Sequence, residues 1–160
     1  MNLKNTVENT TMIACLCDSK NPFSECCKPY LVGTKHAESP EKLMRSRYCA
    51  YTYSNIDYIQ KTMRKKAAEN FDPVSAKNWS SSVMWLGLTV IDAPLSKDQF
   101  GTVTFFARFL DNRIKKTIFE KSQFEKIDEQ WFYVDGTMLK VSRNEDCPCG
   151  SKKKFKRCCA

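Results

Sequence analysis

The chain has 160 residues, 42% of them hydrophobic and 28% charged, with a formal net charge of +8 and only five Gly and six Pro. That composition excludes collagen-like and low-complexity chains, and no apolar run reaches the roughly 18 residues of a membrane-spanning helix. One main domain with a sizeable core is expected, so metal or disulfides are not needed for the core to exist.

In chain order, the first feature is Met12-Ile13-Ala14-Cys15, which superficially resembles a lipoprotein cleavage box. The preceding stretch, where such a signal must be apolar, holds Asn2, Lys4, Asn5, Glu8, Asn9 and Thr10. A cytoplasmic location without membrane insertion is therefore the expectation.

Cys15, Cys17, Cys26 and Cys27 form a Cys-x-Cys-x8-Cys-Cys cluster, and Cys147, Cys149, Cys158 and Cys159 repeat it 132 positions later. Ser19/Ser151, Lys20/Lys152 and Phe23/Phe155 coincide under the same displacement, which makes this an internal repeat. Four thiolates at such spacing suit a closed tetrahedral site. Two four-cysteine sites are expected, with zinc as the metal and iron as the alternative, because a sulfur-only set does not separate the two. A disulfide framework would instead need an oxidising compartment and usually a small coreless domain. Phe23 and Phe155 are expected to anchor each loop on its own site. Two loaded sites would lower the formal +8 to about +4, since each combines four thiolates with one divalent cation.

Between the clusters, Ser39-Pro40-Glu41 reads as a helix start, followed by Leu43, Met44, Tyr48 and Tyr51 on one stripe to about Tyr53. Ser54 or Asn55 caps a second predicted helix carrying Ile56, Ile59 and Met63 to about Asn70, and Asp72-Pro73 opens a short third. Cys49, alone on the first helix, reads as a buried small apolar residue. Four strands follow, over 84–91, 101–110, 117–127 and 131–134, with short connections at Asp92-Ala93-Pro94, Asp111-Asn112 and Asp128-Glu129. Helices first and an antiparallel meander afterwards indicate α+β, with helices on one face of a curved sheet. A hairpin centred near residue 114 would place Arg108 opposite Glu120, on one face with Leu110, Ile118, Phe106 and Phe124. The pair is then either polar chemistry in a concave pocket or a structural ion pair.

The last cluster encloses Lys152, Lys153, Lys154, Lys156 and Arg157. These residues either offer a docking surface to an acidic protein or RNA, or offset the negative metal–sulfur centre. Gly150 is expected to supply a tight turn, at a position where the first cluster has Asp18.

Taken together, the double cysteine pattern with Cys147-Pro148-Cys149-Gly150-Ser151, Leu43-Met44-Arg45-Ser46-Arg47-Tyr48, Trp85-Leu86-Gly87-Leu88, Phe106-Ala107-Arg108-Phe109 and Trp131-Phe132-Tyr133-Val134-Asp135-Gly136 resembles the bacterial YchJ family. The resemblance runs nearly end to end. It implies a cone-shaped nuclear transport factor two-like α+β domain over 31–142, flanked by SEC-C zinc modules over 1–30 and 143–160. SEC-C modules are similar to the zinc-binding tail of the SecA translocation ATPase, which contacts the export chaperone SecB and the ribosome. The sequence departs from the family pattern at Asp18, at Lys152-Lys153-Lys154, and in Phe119-Glu120-Lys121-Ser122-Gln123-Phe124. The resemblance implies a macromolecular interaction module with a protein partner of the export, chaperone or ribosome-associated kind. Two alternatives remain open: RNA binding through the Lys-rich loop, and a small-molecule-binding protein or enzyme using Arg108 and Glu120 in the concavity. A closed four-cysteine site leaves no open coordination position for a substrate, and the single histidine, His36, sits before the first helix.

Overall fold

The computed structural model describes residues 12–160, so the polar stretch from Asn2 to Thr10 and the first eleven residues of the expected amino-terminal module lie outside the described residues. Five helices precede four strands: α1 (Lys28–Leu31), α2 (Pro40–Thr52), α3 (Ile56–Lys61), α4 (Lys66–Glu69), α5 (Pro73–Ser82), β1 (Met84–Asp92), β2 (Phe100–Asp111), β3 (Ile114–Ile127) and β4 (Gln130–Met138). Among the described residues no helix is long and apolar enough to cross a membrane.

The caps are where the side chains put them. The Ser39 hydroxyl accepts from the Lys42 amide at 3.2 Å, Asn55 accepts from Tyr58, and Asp72 accepts from Val74, each satisfying a helix-start donor that has no partner within its own helix. The single helix expected from Ile56 to Asn70 is instead broken into α3 and α4. Between them the chain pairs with β4: the Tyr133 amide donates to the Thr62 carbonyl and the Arg64 amide to the Tyr133 carbonyl, which buries Met63 beside the sheet. Three-and-four periodicity cannot reveal such a tertiary bridge.

The sheet is an antiparallel meander in the order β1-β2-β3-β4. Two hairpins turn on residue pairs in left-handed conformation, Asn112-Arg113 and Asp128-Glu129, as two-residue turns of type I′ require. The first turn corrects the expected register. Arg108 pairs with Thr117, and Glu120 pairs with Phe105. The centre at Asn112-Arg113, rather than residue 114, shifts the partners by an odd number of positions, and an odd shift moves a side chain to the other face of the sheet. Glu120 therefore shares a face with Phe105, Ala107, Ile118 and Phe124, whereas Arg108 lies on the opposite face with Phe106 and Leu110. The polar pair expected between Arg108 and Glu120 does not exist.

Both faces of the sheet are covered. Leu43, Met44 and Tyr48 of α2 pack on Phe105, Ala107 and Phe124, in one core cluster that also contains Cys15, Cys17 and Cys27. On the other face Phe106 and Phe119 pack with Phe155, Cys147 and Cys159. The two cysteine modules thus sit on opposite sides of one sheet, the first against the helix layer and the second directly against the strands.

Candidate metal centres

The internal repeat extends from residues to backbone. Ala14 bridges Pro22 as Asp146 bridges Lys154, and the Cys15 amide donates to the Asn21 carbonyl at 2.8 Å as the Cys147 amide does to Lys153 at 2.7 Å. Left-handed backbone recurs at matching places, Asp18 with Gly150 and Lys20 with Lys152. In each module this small knuckle carries the Cys-x-Cys pair, and the following turn carries the Cys-Cys pair. The left-handed position after the second cysteine accounts for Gly150. Asp18 holds the same conformation at a cost, so Asp18→Gly is expected to stabilise the first module by on the order of 1 kcal/mol. Chelator titration would read this as roughly fivefold slower or weaker metal loss from that site.

Within each module the four sulfurs lie within 4.8 Å of one another. Cys17 and Cys26 are 3.6 Å apart and Cys149 and Cys158 3.4 Å, while the adjacent pairs Cys26/Cys27 and Cys158/Cys159 are both at 3.8 Å. A tetrahedron of sulfurs about 2.3 Å from a central cation has edges of about 3.8 Å, so the four donors are already gathered at coordination spacing. All nine cysteines are free thiols. Ser19 and Ser151 reach equivalent sulfurs, Cys26 and Cys158, each at 3.1 Å.

The thiols are electrically unequal. Sulfhydryl bonds from Cys15 and Cys27 hold Cys17 well below the ordinary thiol range, and the bonds of Cys27 with Cys15 and Cys17 push Cys27 above it. In the second cluster burial raises Cys149, but hydrogen bonds from Ser151 and Cys147 outweigh it and bring the group down to about 6. Within each cluster the neighbouring sulfurs thus favour the thiolate at one position over another, and a soft cation would draw the set toward full deprotonation. The donor chemistry and the spacing both fit a metal ion.

Each site is supported by a different group from the central domain. Arg45 on α2 donates to the Cys17 carbonyl at 2.6 Å, and the Cys49 sulfur lies 3.6 Å from that of Cys15. Cys49 is fully buried as expected, yet it is not isolated: it closes one side of the first cluster. Behind the second cluster, Arg108 donates from Nη1 to the Cys159 sulfur at 3.8 Å and to the Thr89 hydroxyl at 2.8 Å, while Thr117 donates to the Cys159 carbonyl at 2.8 Å. Arg108 therefore belongs to the second metal centre, where its charge opposes that of the thiolates, and has no place in the concavity. Gly87 makes this geometry accessible, because a Cβ there would stand 3.2 Å from Arg108 Nη2. The sequence reading missed both supports, since nothing local links a strand arginine or a lone helix thiol to ligands more than 30 positions away.

Phe23 and Phe155 each pack in the same cluster as the cysteines of their own module, as expected, and also reach the domain. Phe23 packs on Tyr53 at 5.3 Å between ring centres, and Phe155 stacks on Phe106 at 5.5 Å. The loop residues Lys152, Lys153, Lys154, Lys156 and Arg157 are all exposed. Lys154 pairs with Asp146 at 2.7 Å, and the other four have no ion-pair partner among the described residues.

Glu120 lines a second feature, a cavity of about 170 Å³ between α2 and the sheet. Its carboxylate accepts from Ser122 at 2.7 Å and from the Tyr133 hydroxyl at 3.0 Å. His36 is exposed and takes part in neither site.

Comparison with known proteins agrees with this anatomy. A family model described as "YchJ, middle NTF2-like domain" matches residues 39–136, and the SEC-C motif matches residues 143–160. The structure is similar to the solution structure of a SEC-C motif-containing protein from Rhodopseudomonas palustris, with 34% identity, 80% of this chain and 100% of that chain covered, and a TM-score of 0.73. It is also similar to the crystal structure of a SEC-C motif-containing protein from Psychrobacter arcticus, with 30% identity, 94% and 96% coverage and a TM-score of 0.68. With an NTF2-like α+β domain bracketed by two four-cysteine clusters able to hold metal ions, the chain belongs to the YchJ family.

Proposed function

We propose that the protein is a zinc-stapled docking module, whose carboxy-terminal knuckle presents a fixed cationic loop to an acidic surface on another protein. The observation that carries this reading is that Lys152, Lys153, Lys156 and Arg157 project from a loop held at both ends by metal ligands and yet pair with no carboxylate among the described residues. Arg108 from the sheet donates to the Cys159 sulfur, so the metal centre has a cationic partner independent of the loop. Zinc suits a closed, redox-silent role better than iron, whose thiolate complexes change charge with oxidation state. The analogy with the SecA tail points to an export chaperone or the ribosome in the cytoplasm as the partner.

Replacing Lys152, Lys153, Lys156 and Arg157 together by Glu tests the docking surface. Partner capture should fall by at least about tenfold, and capture by the native chain should weaken as salt rises, while metal content stays unchanged. Capture that is indifferent to both charge reversal and salt would remove the loop from the interface. If purified RNA is retained instead, with affinity falling steeply with salt, the partner class is nucleic acid. Elemental analysis of aerobically purified protein should find about two zinc ions per chain and none of the visible absorption of iron thiolates.

A further inference from the structure

We propose that the cavity between α2 and the sheet binds a small organic zwitterion, with its carboxylate on Arg47 and its ammonium group on Glu120. The site uses none of the cysteines and faces the helix layer, on the other side of the sheet from the basic loop, so it stands or falls separately from the docking reading.

Arg47 is only 7% exposed. Its guanidinium is tied at one end, where Nη1 donates to the Ile59 carbonyl at 2.8 Å and to the Thr62 hydroxyl at 2.7 Å. Nε and Nη2 have no acceptor among the described residues, and the charge has no ion-pair partner there. Glu120 is tied at one end in the same way: Oε1 receives both Ser122 and Tyr133, and Oε2 has no donor among the described residues. The two opposite charges line one cavity but stand beyond the 4.0 Å of an ion pair. Tyr133 separates them, its ring 4.8 Å from the Arg47 guanidinium carbon and its hydroxyl on Glu120. A Cβ on Gly136 would collide with both the Glu120 carboxylate and the Tyr133 hydroxyl, so the absence of a side chain there leaves this arrangement its room.

Arg47 is buried and Glu120 half-buried, and opposite charges that share a cavity without pairing directly favour a guest carrying the reverse pattern between them. An anion alone would satisfy Arg47 and be repelled by Glu120, and a cation alone would meet the opposite conflict. A guest with a carboxylate at one end and an ammonium at the other satisfies both. The volume, about 170 Å³, admits roughly six to nine non-hydrogen atoms at protein-like packing. Tyr51, Trp79, Trp85 and Phe105 supply apolar and aromatic walls for a short carbon skeleton, and ring faces also favour an ammonium group.

Four probes with a common four-carbon skeleton, 2-aminobutanoate, 4-aminobutanoate, butanoate and butylamine, would be titrated into the metal-loaded full chain. Binding would be followed by calorimetry and by the indole NMR signals of Trp79 and Trp85. At least one of the two amino acids should bind about tenfold or more tightly than both single-charged analogues, and Glu120→Gln should abolish that advantage while leaving butanoate binding equal or stronger. Equal affinity for the zwitterions and either single-charged analogue, or indole signals unmoved by both amino acids at tens of millimolar, would overturn the assignment. The comparison across the four probes on the unaltered chain decides the matter even if Glu120→Gln fails to fold.

Discussion

Replacing Cys158 and Cys159 by Ser is expected to remove one of two equivalents of tightly bound metal and to leave the central domain folded. The second module touches the sheet through Phe155, Cys147 and Cys159 on the face turned away from the helices, and the helix-side core does not include it. Loss of its metal frees the knuckle and uncovers Phe106, which dye binding and a changed aromatic NMR envelope would report, while far-UV circular dichroism stays near native. The paired substitution at Cys26 and Cys27 should behave differently. Cys15, Cys17 and Cys27 are buried in the same cluster as Leu43, Met44 and Tyr48, and Cys49 and Arg45 bind that module to α2. Emptying the first site therefore places unpaired thiols and new cavities inside the main core. We expect a loss of about 2–5 kcal/mol, which for a chain of this length lowers the midpoint of thermal unfolding by on the order of 10 °C. Equal thermal effects from the two double substitutions would show that the two modules are coupled to the domain alike, contrary to the packing.

Much of this architecture is legible in the residues themselves. The cysteine spacing and its displaced copy locate both clusters because ligand geometry is local: two short loops suffice to gather four sulfurs, and the order of residues records both. The helix starts at Pro40, Ile56 and Pro73 are equally local, since Ser39, Asn55 and Asp72 act on amides two or three residues away. What escapes the sequence is each feature decided at a distance. The break after Lys61 comes from the pairing of Met63 with Tyr133, 70 positions on. The side of the sheet on which Arg108 falls depends on the turn at Asn112-Arg113, where an odd shift reverses every side chain. That one turn decides whether Arg108 faces a cavity or a metal centre. Arg47 lies within the matched middle domain, yet its place beside Glu120 follows only from the packing of α2 on β2 and β4.

Phe106→Ala is expected to be the most damaging single change that touches neither a ligand nor the cavity. Phe106 is fully buried, with its ring 4.3 Å from that of Phe119 and 5.5 Å from that of Phe155. It is the point at which the second module seats on the strands. Truncation removes the ring from both contacts and leaves a void that the β-sheet backbone cannot close, at a cost of about 3–5 kcal/mol. The consequence for the metal follows from linkage. A module held on the sheet keeps its ligands at coordination spacing, whereas a module released from it must gather them at each encounter, so metal should leave the second site faster under chelator while the first site keeps its rate. Arg108→Met provides the contrast: it preserves much of the side-chain bulk but removes the donor to Cys159. It should therefore weaken metal retention at the second site with a smaller thermal effect than Phe106→Ala. Chelator kinetics that resolve two equal, unchanged metal ions in Phe106→Ala would mean that the knuckle holds its ion without the sheet, and that seating on the strands positions the basic loop rather than the metal.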